Sequence, residues 1–326
     1  MKIGRNFTNM LETSYLDDSE KQLFEQGKIS VGDMDARVQI RAKGDIIGQI
    51  DTAKANGLSH IELDGGIPNP FLGLEDDYIK KCAEHAQSSG ITVSLHLPYT
   101  YVSASVCALQ EEDRKVAVEL LKKYIDLAAA IKCVSVVMHP GSVPFYQASG
   151  DYLEIVRSSL IKSLEDLYVY TSNKNIIFHL ENNTAFDCYG VENEEIINVL
   201  NILASKGMYV KYCFDIGHWF TRLDVQKDIQ IPQPPEIVFD EIPKNMLYEV
   251  HLNDYIPVIK KFHPPLHYEK GLLKRSNLVN LIKKFKEKGV EIIVVETAVR
   301  EIHELLNARD IMDKETQYLK DIIEEC

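Results

Sequence analysis

The chain has 326 residues, 45% of them hydrophobic, and carries 36 basic against 49 acidic side chains for a formal net charge of −13. That length suits one large α/β barrel or two ordinary domains with a sizeable core. The acidic balance excludes a global attraction to nucleic acid and leaves only a local basic groove as a route to it. Six cysteines lie far apart with no Cys-x-x-Cys pair, and the opening Met-Lys-Ile-Gly-Arg-Asn-Phe is polar. Reduced thiols, no signal peptide and a cytoplasmic protein are therefore expected. No apolar run approaches the roughly 20 residues of a membrane span.

Strand-like runs rich in Val and Ile recur along the chain. They are expected near Lys2–Gly4, His60–Asp64, Ile91–His96, Val134–His139, Ile176–Glu181, Tyr209–Asp215, Leu247–Leu252 and Glu291–Glu296. Amphipathic stretches alternate with them. Val116, Leu120, Tyr124, Leu127 and Ile131 follow helical spacing. So do Leu153, Val156, Leu160, Leu164 and Leu167, with Asp151 placed to cap the first turn. Asn56-Gly57, Ser89-Gly90, Lys206-Gly207 and Lys288-Gly289 each stand where a helix stops before a strand. Pro-rich loops follow the sixth strand (Ile231–Pro235) and the seventh (His263–His267), while the Lys283–Lys288 run reads as a solvated helix face. Eight such units predict a single (β/α)₈ TIM barrel of the α/β class over residues 1–326, with its active site at the C-terminal ends of the strands.

Six of these runs close on an acidic or imidazole side chain: His96, His139, Glu181, Asp215, His251 and Glu296. His218 follows Asp215 by three residues. A lone histidine at a strand end is commonly a hydrogen-bonded barrel residue, and His60, His85 and His179 are read that way, while His303 is expected on the surface of the last helix. Six successive runs ending on a residue able to bind metal or a proton point instead to one shared site. Glu181, Asp215, His251 and Glu296 offer three carboxylates and an imidazole, a mixed set suited to Zn²⁺ or Mn²⁺, with Mg²⁺ or Fe²⁺ as alternatives. His96 and His139 could hold a second ion with Glu181 as the bridge, for one to three ions in all. Trp219 offers an apolar wall to a sugar ring or packs on the barrel rim. Tyr99 and Tyr101 lie in a loop on the same face.

Several ordered segments carry a family resemblance. His96-Leu-Pro-Tyr, Met138-His-Pro-Gly-Ser142, Leu180-Glu-Asn-Asn183, Cys213-Phe-Asp-Ile-Gly-His218, Val250-His-Leu-Asn-Asp254 and Val295-Glu-Thr297 resemble the motifs of the xylose isomerase-like barrel superfamily. That superfamily includes endonuclease IV together with sugar isomerases, epimerases and dehydratases. The resemblance to its sugar enzymes implies that Glu181, Asp215, His251 and Glu296 bind an ion. It also implies that Glu181 and Glu296 form an acid/base pair acting through an enediolate, with His218 on a substrate oxygen.

The resemblance to the nuclease implies a three-zinc cluster that cleaves DNA at abasic sites. His96 and His139 would share Glu181 with one ion, and His218 would hold the third together with an Asp-x-His pair. The corresponding loop here, Phe262-His-Pro-Pro-Leu-His267-Tyr-Glu-Lys-Gly271, has no Asp-x-His pair and leaves His263 and His267 as alternatives. Thr100 stands where the nuclease has a wedging leucine. Ile256-Pro257 stands where the epimerases have an arginine, with Lys260 or Lys261 as stand-ins.

The expectation is therefore a metal-dependent sugar or polyol isomerase, epimerase or related lyase. Its catalytic residues are Glu181, Glu296 and His218, its substrate contacts Tyr99, Trp219 and His267, and its partner a small carbohydrate-like molecule. Nucleic acid and membrane are not expected partners, and a homo-oligomer is compatible with the fold. The alternative is an endonuclease IV-like phosphodiesterase acting on abasic DNA or a small phosphoester.

Overall fold

A computed structural model describes residues 1–226 and 229–326. The described residues form ten strands: β1 (Lys2–Asn6), β2 (His60–Asp64), β3 (Thr92–His96), β4 (Ser135–Met138), β5 (Ile177–Glu181), β6 (Lys211–Cys213), β7 (Glu249–His251), β8 (Tyr255–Ile256), β9 (Lys261–Phe262) and β10 (Ile292–Val295). Eight of them form one parallel sheet in the order β6-β5-β4-β3-β2-β1-β10-β7. Parallel bridges at Tyr212–Leu247 and Asp215–His251 join the outer two and bring the sheet round into a barrel. All eight expected strands are thus present. β8 and β9 pair as a short antiparallel hairpin beyond the barrel rim.

The strands are short, and almost every residue in them is buried, as in a sheet covered on the outside by helices and filled on the inside by side chains. The main covering helices are Asp76–Ser89, Glu111–Ile131, Gly150–Ser172, Asn193–Ser205, Arg275–Lys288 and Ala308–Glu325. Gly90 and Gly289 end two of them with a left-handed backbone, φ +70° and +83°, which a glycine adopts without a Cβ clash.

Two details differ from the sequence expectation. Ser149, not Asp151, is the N-cap of Gly150–Ser172, and Asp151 lies within the first turn. On Glu111–Ile131 the buried stripe runs through Ala117, Val118, Leu121, Tyr124, Ile125 and Ala128, leaving Val116 exposed. Tyr124, Leu127 and Ile131 of the expected stripe are buried and Leu120 is half-buried, so only Val116 falls outside the packed face, which the small alanines widen.

The C-terminal helix locks onto the barrel through a buried ion pair. Glu315 meets Arg5 of β1 at 2.7 Å, and it also accepts hydrogen bonds from the Thr297 hydroxyl and the Leu266 amide. Among the described residues no helix is long and apolar enough to cross a membrane.

Candidate active site

Inward-facing positions alternate along a strand. In this barrel they are polar on several strands: His60, Glu62 and Asp64 on β2, Ser94 and His96 on β3, His179 and Glu181 on β5, Glu249 and His251 on β7. The uppermost members meet at the C-terminal rim. Glu181 lies at the centre of this meeting point, fully buried. Its Oε2 is 3.0 Å from His96 Nε2 and 3.3 Å from His139 Nε2. Its Oε1 is 3.0 Å from His251 Nδ1 and 3.3 Å from His218 Nδ1. Glu296 approaches the same His251 nitrogen at 3.4 Å.

Asparagines fix these side chains. Asn253 donates to both Asp215 Oδ2 and Glu296 Oε2, at 2.6 and 3.0 Å. Asn182 donates to the Asp215 carbonyl and accepts from its amide. Asn183 Oδ1 lies 2.9 Å from His139 Nδ1, leaving Nε2 to face Glu181. Asp215 caps the short helix Ile216–Phe220 by accepting from the His218 amide, which sets His218 beside it.

Charge in the cluster is shared out by these contacts. Burial opposes charging His96, yet the hydrogen bond to Glu181 and the surrounding carboxylates hold it up at about 9. His218 is likewise held up at about 10, against burial, by Asp215 and Glu181. For His139 burial prevails and pushes it down to about 4. Burial alone would raise Glu181, but the facing imidazoles, His251 first, hold it well below the usual carboxylate range.

The donor set fits a divalent cation. Glu181, Asp215, His251 and Glu296 each offer a ligand atom within 4.8 Å of the others, and all four are buried. Four further groups meet the same criterion among the described residues: His96, His139 and Glu181; Asp215, His218, His263 and Glu296; His96, His251 and Glu296; and, one layer deeper, Glu62, Glu249 and His251. His263 Nε2 is buried and has no hydrogen-bond partner, and it lies 3.9 Å from Asp215 Oδ2. A free imidazole nitrogen beside carboxylates is what a ligand shell offers a metal ion.

A cavity of about 330 Å³ opens above the cluster. Its wall includes Asn6, Asp64, Tyr99, His139, Asp187 and Glu296. Among the described residues the wall carries no lysine or arginine.

Residues 50–322 match the xylose isomerase-like TIM barrel family. The chain belongs to that family. Two uncharacterised proteins of Methanocaldococcus jannaschii are similar over part of it. MJ1614 is 31% identical over 150 residues, 45% of this chain and 55% of that protein. MJ1311 is 24% identical over 146 residues, 44% and 48%. The chain thus spans about half the length of the curated relatives it matches.

Solved structures share the fold at low identity. A D-tagatose 3-epimerase-like protein is 18% identical with a TM-score of 0.64, covering 100% of this chain and 99% of that one. The D-psicose 3-epimerase of Clostridium cellulolyticum H10, solved with D-tagatose, is 11% identical with a TM-score of 0.66 over the same shares. A xylose isomerase-like TIM barrel protein of Mycobacterium smegmatis, in complex with magnesium, is 16% identical with a TM-score of 0.57, covering 86% and 90%.

In this xylose isomerase-like barrel the structure brings together His96, His139, Glu181, Asp215, His218, His251 and Glu296. Tyr99 joins them at the cavity wall, its ring 5.2 Å from that of His96 and 5.3 Å from that of His139. Two expected substrate contacts lie elsewhere. Trp219 is 4% exposed and packs in the apolar core, with the Arg222 guanidinium over its ring, because the helix that turns His218 inward turns the next side chain away. His267 lies on the turn Leu266–Tyr268 beside Glu315 of the C-terminal helix, whereas His263 lines the cavity.

Glu62, Asn6 and Asn253 were not singled out in the sequence. The signal for Glu62 was available: three polar residues in phase along one strand, His60, Glu62 and Asp64, where a barrel interior is ordinarily branched and apolar.

Proposed function

We propose that this protein is a divalent-metal-dependent isomerase or epimerase acting on an uncharged sugar or polyol. The observation that carries the reading is the convergence of Glu181 and Glu296 on one nitrogen of His251, below a cavity whose described wall has histidines but no lysine or arginine. A phosphorylated substrate would call for Arg or Lys there, while hydroxyl groups are served by Tyr99 and the site carboxylates.

Glu181, Asp215, His251 and Glu296 would hold the ion, with Zn²⁺ or Mn²⁺ suited to the mixed oxygen and nitrogen set. When bound it polarises the substrate carbonyl and offsets charge developing on its oxygen. Glu296 is at the cavity wall and, with its pKa held low chiefly by His251 against burial, is ionised and able to take a proton from the carbon beside the carbonyl. The electron pair left on that carbon forms an enediolate. Return of a proton to the opposite face gives the epimer, and return to the neighbouring carbon gives the isomer. Glu181 meets the same His251 nitrogen as the second member of the pair. It sits beneath His96 and His139, so Glu296 is the more accessible of the two. His218 faces the same space and can hold a substrate oxygen.

A second reading rests on His96, His139 and Glu181, which form a separate ligand group of the kind a two- or three-ion phosphoester hydrolase uses. Metal analysis of the purified protein, with parallel assays on free ketoses, ketose phosphates and abasic-site DNA, tests the two. One tightly bound ion and turnover of a free ketose, lost in Glu296→Gln with the fold intact, is the expected result. Two or three ions with phosphoester cleavage and no ketose turnover would overturn it.

A further inference from the structure

We propose that Glu62 is the positioning residue that makes His251 a metal ligand: it accepts the Nε2 proton and thereby turns the lone pair of Nδ1 toward the cation. The inference rests on the metal site described above and adds a residue outside its ligand set.

A neutral imidazole has one N–H and one lone pair, and the partner of the N–H decides which nitrogen can ligate. His251 has carboxylates on both sides. Nδ1 faces Glu181 and Glu296, at 3.0 and 3.4 Å, the two carboxylates that also face the proposed cation. Nε2 points down into the barrel, where Glu62 Oε2 lies 3.3 Å away. Glu62 is fully buried on β2 and belongs to the next inward-facing layer. It is therefore placed to accept the proton from the side opposite the ion.

Glu249 is the other carboxylate of that buried cluster, but its ion pair is with His60, at 3.7 Å. Its oxygens are already taken, Oε1 by the Ser94 hydroxyl at 2.8 Å and Oε2 by the Ser135 hydroxyl at 2.6 Å. Glu62 is differently partnered. Its second oxygen accepts from Asn6 Nδ2 at 3.1 Å, and the same amide lies 3.3 Å from Glu296 Oε1. An amide NH₂ can only donate, so Asn6 requires an acceptor at Oε1 and His251 requires one at Oε2. A carboxylate meets both demands. A glutamine cannot, because its own NH₂ must face one of the two donors.

The test uses Co²⁺ alone, so it needs no substrate. Co²⁺ affinity is measured by competition with a chelator for the parent protein, Glu62→Gln and Glu62→Ala, at a temperature where circular dichroism shows each metal-free protein folded. Loss of such an outer partner typically weakens metal binding 10–100-fold, and a loss of about that size is expected in both variants. The Zn²⁺-loaded parent, labelled with ¹⁵N-histidine, should show His251 protonated at Nε2 and unprotonated at Nδ1, and Glu62→Gln should weaken or shift that Nε2–H signal. Affinities within twofold of the parent in the folded variants, or a His251 protonated at Nδ1, would overturn this inference alone. A parent protein that takes up no Co²⁺ would overturn the metal site and this inference with it.

Discussion

Asn253 donates from a single amide nitrogen to Asp215 at 2.6 Å, across the seam where β6 and β7 are joined by isolated bridges. The same nitrogen reaches Glu296, the residue just after β10, at 3.0 Å, and Asn253 Oδ1 accepts from the Glu296 amide at 2.9 Å. One side chain thus holds two proposed ligands and one strand end. Asn253→Ala leaves a buried N–H and two carboxylate oxygens without this partner, a loss worth roughly 1–3 kcal/mol. The metal-free variant is expected to unfold at lower denaturant than the parent by about that amount, with weaker Co²⁺ binding. A denaturation midpoint and metal affinity equal to the parent's would show that neighbouring groups take over the role.

The barrel was legible because its signal is repeated. Eight apolar runs, four Gly-marked helix ends and a polar residue closing six runs agree with one another, so an error at one place is outvoted. Trp219 and His267 were assigned from neighbourhood in sequence, and neighbourhood fails on a helix or tight turn, where adjacent side chains point in different directions. His263 and His267 could not be separated without knowing that the β8–β9 hairpin carries the first toward the cavity. Glu62 escapes a pattern of strand-end residues for another reason: it lies one layer beneath the end of β2.

His263 and His267 therefore give a direct contrast. His263 lines the cavity with its Nδ1 3.2 Å from the Glu296 carbonyl, while His267 faces the C-terminal helix. In steady-state assays on a turned-over ketose, His263→Ala is expected to lower kcat/KM by on the order of tenfold or more. His267→Ala should leave kcat and KM within twofold and show its effect, if any, in thermal stability. The reverse pattern would reassign the loop.

A pH dependence of stability is expected from Glu12, away from the proposed metal site. Glu12 is buried and neither oxygen has a hydrogen-bond partner, and the Oδ1 of Asp35 beside it is unpartnered too. A proton on Glu12 satisfies both carboxyls. Burial first, then Asp35, raises its pKa from an ordinary 4.5 to about 9. The folded state thus holds a proton that the unfolded chain releases, so this contribution is full below about pH 4.5 and is lost as pH rises toward 9. Glu12→Gln keeps a donor for Asp35 and cannot ionise. Its melting temperature should match the parent's near pH 4.5 and exceed it near pH 9. Parallel melting curves for the two proteins across that range would show that Glu12 is charged in the folded state.

Duplex DNA is expected to bind weakly. Neutralising phosphates with Lys and Arg supplies most non-specific affinity, and that affinity falls steeply as salt rises. Here the net charge is −13, and the described cavity wall presents Asp64, Asp187 and Glu296 with no lysine or arginine. Three lysines around the barrel have other partners. Lys43 is buried against Asp64 at 2.9 Å, Lys261 pairs with Glu304 at 3.3 Å, and Lys260 lies over the Phe186 ring. Thr100, where the nuclease carries its wedging leucine, is too short and polar to replace a base in the stack. A gel-shift titration with an abasic duplex at physiological salt should give no complex below micromolar protein. Sub-micromolar binding with strand cleavage, both lost in Glu181→Gln, would place the phosphodiesterase reading ahead of the isomerase.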